Sequence, residues 1–437
     1  MLIYDLFGVR TLCLTASKNK IKFDPRTNSV RIFQGFVVRK IDLNNFQLAT
    51  SGTVRDINSR IMLNLVRKHQ PVSRADLMRY SGLQRSTVSA IAEQLISERW
   101  LKEGAVGNLP RGRKPTFLHL NTDRCGVIGV EVQPDTTTLA VANMDSQILA
   151  KELIPTAKEP AEFIARLSRR IKDLMQAHPK NSYEGIGISL PGRIDASSRQ
   201  LIFAPTLGWS ELDLKTPLEY AIGVPVELEN AANACVLAEL WSRQGISNLI
   251  AVTVSDAIDV GMVMNGQLVR GSTGVAGEFG HVAQVQDGPK CRCGNSGCWE
   301  VLASNSAAVR YYAEAATLRK DEVGSKSDMA IVPFGDILRL VERGDSRACK
   351  ALDKMAHHLG VGIAMLVTGL APDMLVVVGD ITRVWGRVGP IVADAVKRRS
   401  FTHTATRILP TNPETQPRLQ GTIALVLQKH FGAPSIA

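Results

Sequence analysis

No stretch of this 437-residue chain approaches the ~20 consecutive apolar residues that a membrane-spanning helix requires. Cysteine is scarce as well: there are 7, an odd number, and three of them crowd into 291–298. That usage argues against a disulfide framework and for a reducing compartment, with a metal as the better reason for the cluster. The marks of a secretory leader are missing. The opening "MLIYDLFGVRTLCLTASKNK" has an apolar patch, but its first basic residue, Arg10, lies inside it, and no convincing small-residue cleavage site follows. A cytoplasmic protein without a membrane partner is expected. Acidic residues are also few, but only locally. Residues 1–120 hold 20 Lys and Arg against 8 Asp and Glu, whereas residues 121–437 hold 32 against 33. One small basic module therefore precedes a large near-neutral body, which points to a polyanion partner for the front end alone. The length implies two or three domains, and 45% hydrophobic residues suffice to build their cores.

The basic module has the order of a winged helix-turn-helix. In "NSRIMLNLVRKHQPVSRADLMRYSGLQRSTVSAIAEQLISERW", Ile61, Met62, Leu65 and Val66 recur at helical spacing, and Pro71 stops that helix. Ser73, with Asp76 three residues on, predicts an N-cap for a second short helix. Gly82 suits the turn, and a third helix starts near Gln84 with Val88, Ile91, Ala92 and Leu95 on its buried face. Gln84, Arg85, Ser86, Thr87 and Ser89 would then meet DNA, because such side chains bond phosphates and base edges from the start of a recognition helix. "VGNLPRGRKPTFLHL" follows as a basic hairpin, whose tip of Arg111, Gly112, Arg113 and Lys114 fits a minor groove or a phosphate. A three-helix domain for protein contacts is the alternative. Helix order, turn glycine, basic wing and charge asymmetry together favour operator DNA.

In "GEFGHVAQVQDGPKCRCGNSGCWE", His281, Cys291, Cys293 and Cys298 form an H-x9-C-x-C-x4-C pattern. Four N/S ligands with no open position suit a tetrahedral structural zinc ion, Zn2+, better than a catalytic one, which needs room for water. A lone cysteine would more often be a small buried hydrophobe; three within eight residues argue otherwise.

With its "GEFGH" and "CRCGNSGCWE" runs, the chain resembles the ROK family, which groups repressors, open reading frames and sugar kinases. The resemblance covers nearly all of residues 54–437. "GIGISLPGRID" (185–195), "APTLGW" (204–209) and "GVPVELENAANACVLAELW" (223–241) are similar to the family's sugar-lobe segments. The front module resembles that of the repressor branch, the xylose and N-acetylglucosamine repressor type. Residues 1–53 fall outside this resemblance: "SVRIFQGFVVRKIDL" alternates enough for an extra hairpin, and a disordered arm or a misassigned start are the alternatives.

The resemblance implies an α/β body of two actin-like (ribonuclease H-like) lobes with a sugar cleft between them. It divides the chain into an N-terminal segment 1–53, a winged helix-turn-helix 54–121, a first lobe 122–245 and a second lobe 246–437 carrying the zinc loop, whose last helix can pack back on the first lobe. It also assigns Asn230, Glu278, His281 and Glu300 to sugar hydroxyls, which amides and carboxylates grip well in pairs. Bracing of the metal loop is the other reading of Glu278 and Glu300. The kinase parts are degraded. The family's catalytic base is the Asp of "N-D-A-N", and here Asn230-Ala231-Ala232-Asn233 puts Ala231 in its place. Glu229 is next door, but on an extended segment it points away from the side of Asn230. Gln133 and Pro134 replace two glycines of the first phosphate turn, so a side chain fills the space and an amide donor is lost. Ser255, Asp256, Ala257, Ile258 and Asp259 stand where the second turn is usually glycine-rich, and Gly379-Asp380 where a glycine pair faces adenosine. The expected function is a sugar-responsive DNA-binding regulator, a repressor acting as a homodimer or higher oligomer, without kinase activity. An active sugar kinase with an appended DNA module, or control by a partner protein, are the alternatives.

Overall fold

The computed structural model describes residues 22–24, 29–31, 51–106, 115–180, 182–195, 197–243, 245–317, 332–400 and 406–432. The chain separates into two units, Met1–Ser51 with Ser435–Ala437, and Gly52–Pro434. In the first, β1 (Lys22–Asp24) pairs antiparallel with β2 (Ser29–Arg31). The alternation from Ser29 onward thus supplies one strand, and its described partner lies upstream.

The second unit opens with the helix-turn-helix. α1 (Ser51–His69) ends just before Pro71, β3 (Val72–Ser73) follows, and α2 (Arg74–Ser81) starts on a complete capping box. There Asp76 N donates to Ser73 Oγ while the Asp76 carboxylate accepts from Ser73 N. Such a cap contributes ~1 kcal/mol. Gly82, at φ 71°, ends α2 in the left-handed conformation, and α3 (Arg85–Ser97) buries Val88, Ile91, Ala92 and Leu95 as the periodicity predicts. β4 (Leu101–Val106) and β5 (Thr116–Leu120) complete an antiparallel sheet in the order β3-β5-β4. One detail differs from the helical spacing: Ile61 is exposed, and Leu63 is buried beside Met62 and Val66. The reason is that α1 is gripped from two sides, by α3 and by the last helix of the body.

The body holds two sheets of one topology. β6 (Gly126–Val132), β7 (Thr136–Asn143) and β8 (Ile148–Pro155) form an antiparallel meander. α4 (Pro160–Ala177) crosses over to β9 (Tyr183–Leu190), which lies parallel to β6. The small sheet of β10 (Arg193–Ile194), β11 (Leu201–Ala204) and β12 (Trp209–Leu212), then α5 (Lys215–Ile222), lead to β13 (Val226–Asn230), parallel to β9. α6 (Ala231–Ser242) leaves this sheet for the second. There β14 (Leu249–Val254), β15 (Ile258–Met264) and β16 (Gln267–Leu268) form the meander. α7 (Trp299–Ala303), α8 (Asn305–Thr317), α9 (Phe334–Glu342) and α10 (Ser346–Leu370) precede β17 (Met374–Val378). α11 (Trp385–Arg399) then leads to β18 (Arg407–Pro410), so that β17 and β18 add parallel to β14. Meander, crossover, parallel strands, repeated, is the actin-like plan.

α12 (Pro417–Phe431) does not stay with the second sheet. It lies across β6 and β9 of the first, where a Cβ on Gly187 would sit 2.0 Å from Thr422 O. One continuous apolar core results. It joins Met62, Val66, Leu77, Ile91, Leu101 and Leu118 of the helix-turn-helix module to Val127 and Ala142 of the first lobe and to Ile423, Val426, Leu427 and Phe431 of α12. Directional bonds secure the joint. Arg60 donates to Lys429 O and Gly432 O, and Asn64 donates to Phe431 O, so α1 satisfies the last carbonyls of α12. Arg67 donates to Trp241 O and lies 3.6 Å above that ring. Glu184 accepts from Arg124 and pairs with His430 at 2.8 Å, while the Trp100 ring lies against both Arg124 and His430.

Candidate functional site

At the front end, Gln84, Arg85 and Ser86 are exposed at the start of α3, and Thr87 and Ser89 are half-buried on its flank. The positive end of the helix dipole and the side chains thus face outward together. Arg111, Arg113 and Lys114 lie outside the described residues.

In the second lobe, the loop after β16 returns along β15. A Cβ on Gly277 would sit 2.1 Å from Val260 O and one on Gly280 2.2 Å from Ile258 O, so only glycines let the turn lie flush on the strand. This close approach fixes Glu278 and His281, which share a 3-10 turn. The ligand atoms of His281, Cys291, Cys293 and Cys298 all lie within 4.8 Å of one another. Cys293 Sγ is 3.7 Å from Cys298 Sγ, and Cys291 Sγ is 3.6 Å from His281 Nδ1. Those separations match the edges of a tetrahedron with metal–ligand bonds of ~2.3 Å to sulfur and ~2.1 Å to nitrogen. The donor set therefore fits a metal ion. The other imidazole nitrogen, Nε2, faces Glu278 Oε2 at 3.7 Å.

The two loop carboxylates differ. Glu278 is exposed, whereas Glu300, in the first turn of α7, is 4% exposed. Glu300 Oε2 accepts from Ile258 N at 3.3 Å and from Arg292 at 3.1 Å. It braces the loop. Asp259, on β15, is lifted to about 6 by burial and then by the Glu278 carboxylate, with Glu300 adding to this and Arg418 opposing it.

Asn230 ends β13 on the first lobe. Its Oδ1 accepts from Ala232 N, capping α6, and its Nδ2 donates to Gly192 O. One amide hydrogen and one lone pair remain for a ligand. Ala231 is the first residue of α6, and Ala232 O abuts Gly261 of β15, so this end of the first lobe meets the second directly. Glu229, 2% exposed, pairs with Arg270 and Arg199. Burial alone would raise its pKa, but the two guanidinium groups outweigh that and hold it below the usual carboxylate range.

The two turns that the resemblance sets against phosphate loops use several of their amides locally. Gln133 N donates to Thr136 O, and the Gln133 side chain donates to Glu131. Ser255 N donates to Ala257 O, Ala257 N to Ser255 Oγ, and Asn305 N to Ser255 O. Arg418, at the start of α12, lies 3.9 Å from Glu131. Sequence reasoning missed the partnership of Glu229 with Arg199 and Arg270, and that of Glu300 with Arg292. The first links residues 30 and 41 positions apart, for which no local pattern exists.

Residues 127–429 match the ROK family. The xylose repressor of Bacillus subtilis is 30% identical over 334 residues, 75% of this chain and 83% of that protein. A ROK family transcriptional regulator, a homolog of the E. coli MLC protein, superposes with a TM-score of 0.74 at 23% identity, covering 87% of this chain and 98% of that one. A ROK family glucokinase from Streptomyces griseus, in complex with glucose and AMPPNP, gives 0.59 at 27% identity over 69% of this chain and 98% of its own. The repeated sheet plan agrees with these matches, and the chain belongs to the ROK family.

Proposed function

We propose that this protein is a sugar-responsive, DNA-binding transcriptional repressor that does not phosphorylate its sugar. The observation that carries the reading is the shared core: the DNA module and the cleft-bearing first lobe are packed as one body through α12. A ligand that alters the lobes therefore has a rigid route to the recognition helix. The relative's name, xylose repressor, supports the same reading. In this reading the modules are residues 54–121, 122–245 and 246–437, Glu278, His281, Asn230 and Glu300 take the sugar hydroxyls, and Arg85 with its neighbours reads the operator. A homodimer presents two recognition helices to successive major grooves of a near-palindromic site.

DNA binding tests it. With an operator selected from random sequence, six or more phosphate contacts would lower affinity by ~10³ between 50 and 200 mM salt. Arg85→Ala is expected to shrink the ratio of operator to random-DNA affinity, and Arg113→Ala to weaken both alike. If both variants bind like the parent, α3 and the wing are not the interface.

We also propose that the His/Cys cluster holds structural zinc, with His281 bound through Nδ1 and Nε2 turned toward Glu278. The ion would tie the loop that presents Glu278 to the start of α7. Purified without chelators, the protein is expected to contain about one zinc per chain, and Cys298→Ser to lose it. Zinc-free parent protein, or full zinc in Cys298→Ser, would overturn the assignment.

A further inference from the structure

Glu229 is the most heavily used carboxylate of the cleft. Oε1 accepts from Asn230 N and from Asn233 Nδ2, each at 3.0 Å. Oε2 accepts from Arg270 Nε at 2.9 Å and Nη2 at 2.7 Å, and from Arg199 Nη2 at 3.1 Å. A carboxylate has about four acceptor sites, so these five donors leave nothing for a ligand. The donors come from three places: the first turn of α6, the β10–β11 turn of the first lobe, and the second lobe just after β16. Arg199 reaches Glu229 from a left-handed conformation, φ 59°, which side chains larger than glycine rarely adopt. Arg270 O in turn accepts from Ala276 N at 3.1 Å, closing the turn that leads into Glu278 and His281.

We propose that Glu229 is the positioning residue of the ligand cleft: a buried carboxylate that orients Asn230 on one lobe and, through Arg270, sets the Glu278–His281 turn of the other. This rests on the cleft being the sugar site. Glu229 itself touches no ligand. Its neighbour Asn230 keeps an amide hydrogen and a lone pair, and Glu278 is exposed, so the groups it aligns are those with capacity left. An amide at position 229 would set donor against donor, on the Asn230 side or on the arginine side.

Hydrogen–deuterium exchange on the ligand-free protein tests this. Glu229→Gln is expected to speed exchange at least tenfold in residues 230–234 and 270–281, with β14 and α3 at the parent's rates. Arg270→Met, at a partly exposed position and so milder for folding, should match it at 270–281. Arg270→Lys, which keeps a charged donor, should stay within threefold of the parent. The double variant Glu229→Gln/Arg270→Met should exchange no faster at 270–281 than either single variant, because both break one link. Unchanged exchange at 270–281 in Arg270→Met, additive effects in the double variant, or acceleration spread evenly through β14 and α3 would each overturn the proposal. Thermal shift of the parent with D-xylose and D-glucose tests the sugar reading separately, so either result can fail while the other stands.

Discussion

Supplied with ATP and a hexose, the purified chain is expected to form no sugar phosphate above background. A positioned base contributes a factor of ~10² to 10⁴, and alanine at position 231 cannot take a proton. Electrostatic stabilisation of the transferred phosphoryl is the larger part of such a reaction. Here the amides of Gln133, Ser255 and Ala257 are bonded within their own turns, and that of Ile258 to Glu300. Asp256 is exposed in the second turn and Asp259 follows it, so carboxylates stand where a triphosphate would need donors. Restoring the base alone should therefore not restore the activity. Ala231→Asp is expected to remain inactive in a coupled assay, because one missing part of several has been returned. Turnover near one per second by the parent would defeat the repressor-only reading. Turnover by Ala231→Asp alone would show that the phosphate turns still work.

A sugar that stabilises the protein is expected to weaken operator binding between ~5- and ~150-fold, a coupling of ~1–3 kcal/mol. The effect cannot exceed the sugar's differential affinity for the two lobe arrangements. By reciprocity, operator DNA must weaken sugar binding by the same factor. Glu278→Ala is the cleaner probe of sensing, because Glu278 is exposed while Glu300 also braces the metal loop. It should bind operator normally and lose the response. Phe431→Ala attacks the route instead. Phe431 is 6% exposed in the core that joins α12 to the DNA module, and its ring lies 5.4 Å from that of Trp241. Sugar should still bind this variant but release less operator. Operator titrations with and without sugar decide both points. A sugar that binds without shifting operator affinity, or a normal response from Glu278→Ala, would mean that the cleft is not the sensor.

Much of this protein is legible in its sequence because the determining interactions are short in range. The Ser73–Asp76 capping box, the Gly82 turn and the buried face of α3 each depend on residues within about four positions, and all three form as read. The His/Cys cluster was visible because its four members fall within 18 residues. The alanine at position 231, where the family resemblance expects a base, was likewise readable without a structure. The tertiary structure alone decided the rest. Asn230 caps α6 while remaining half available, and Glu300 is engaged by Ile258 N and Arg292. Glu229 meets Arg270 across the lobes, and α12 lies over the first sheet and clamps α1 through its last carbonyls. The contacts of Glu229 with Arg270 and of α12 with α1 join segments tens to hundreds of residues apart. No local pattern encodes such a pairing; it exists only once both sheets have folded and the chain's last helix has returned to the first.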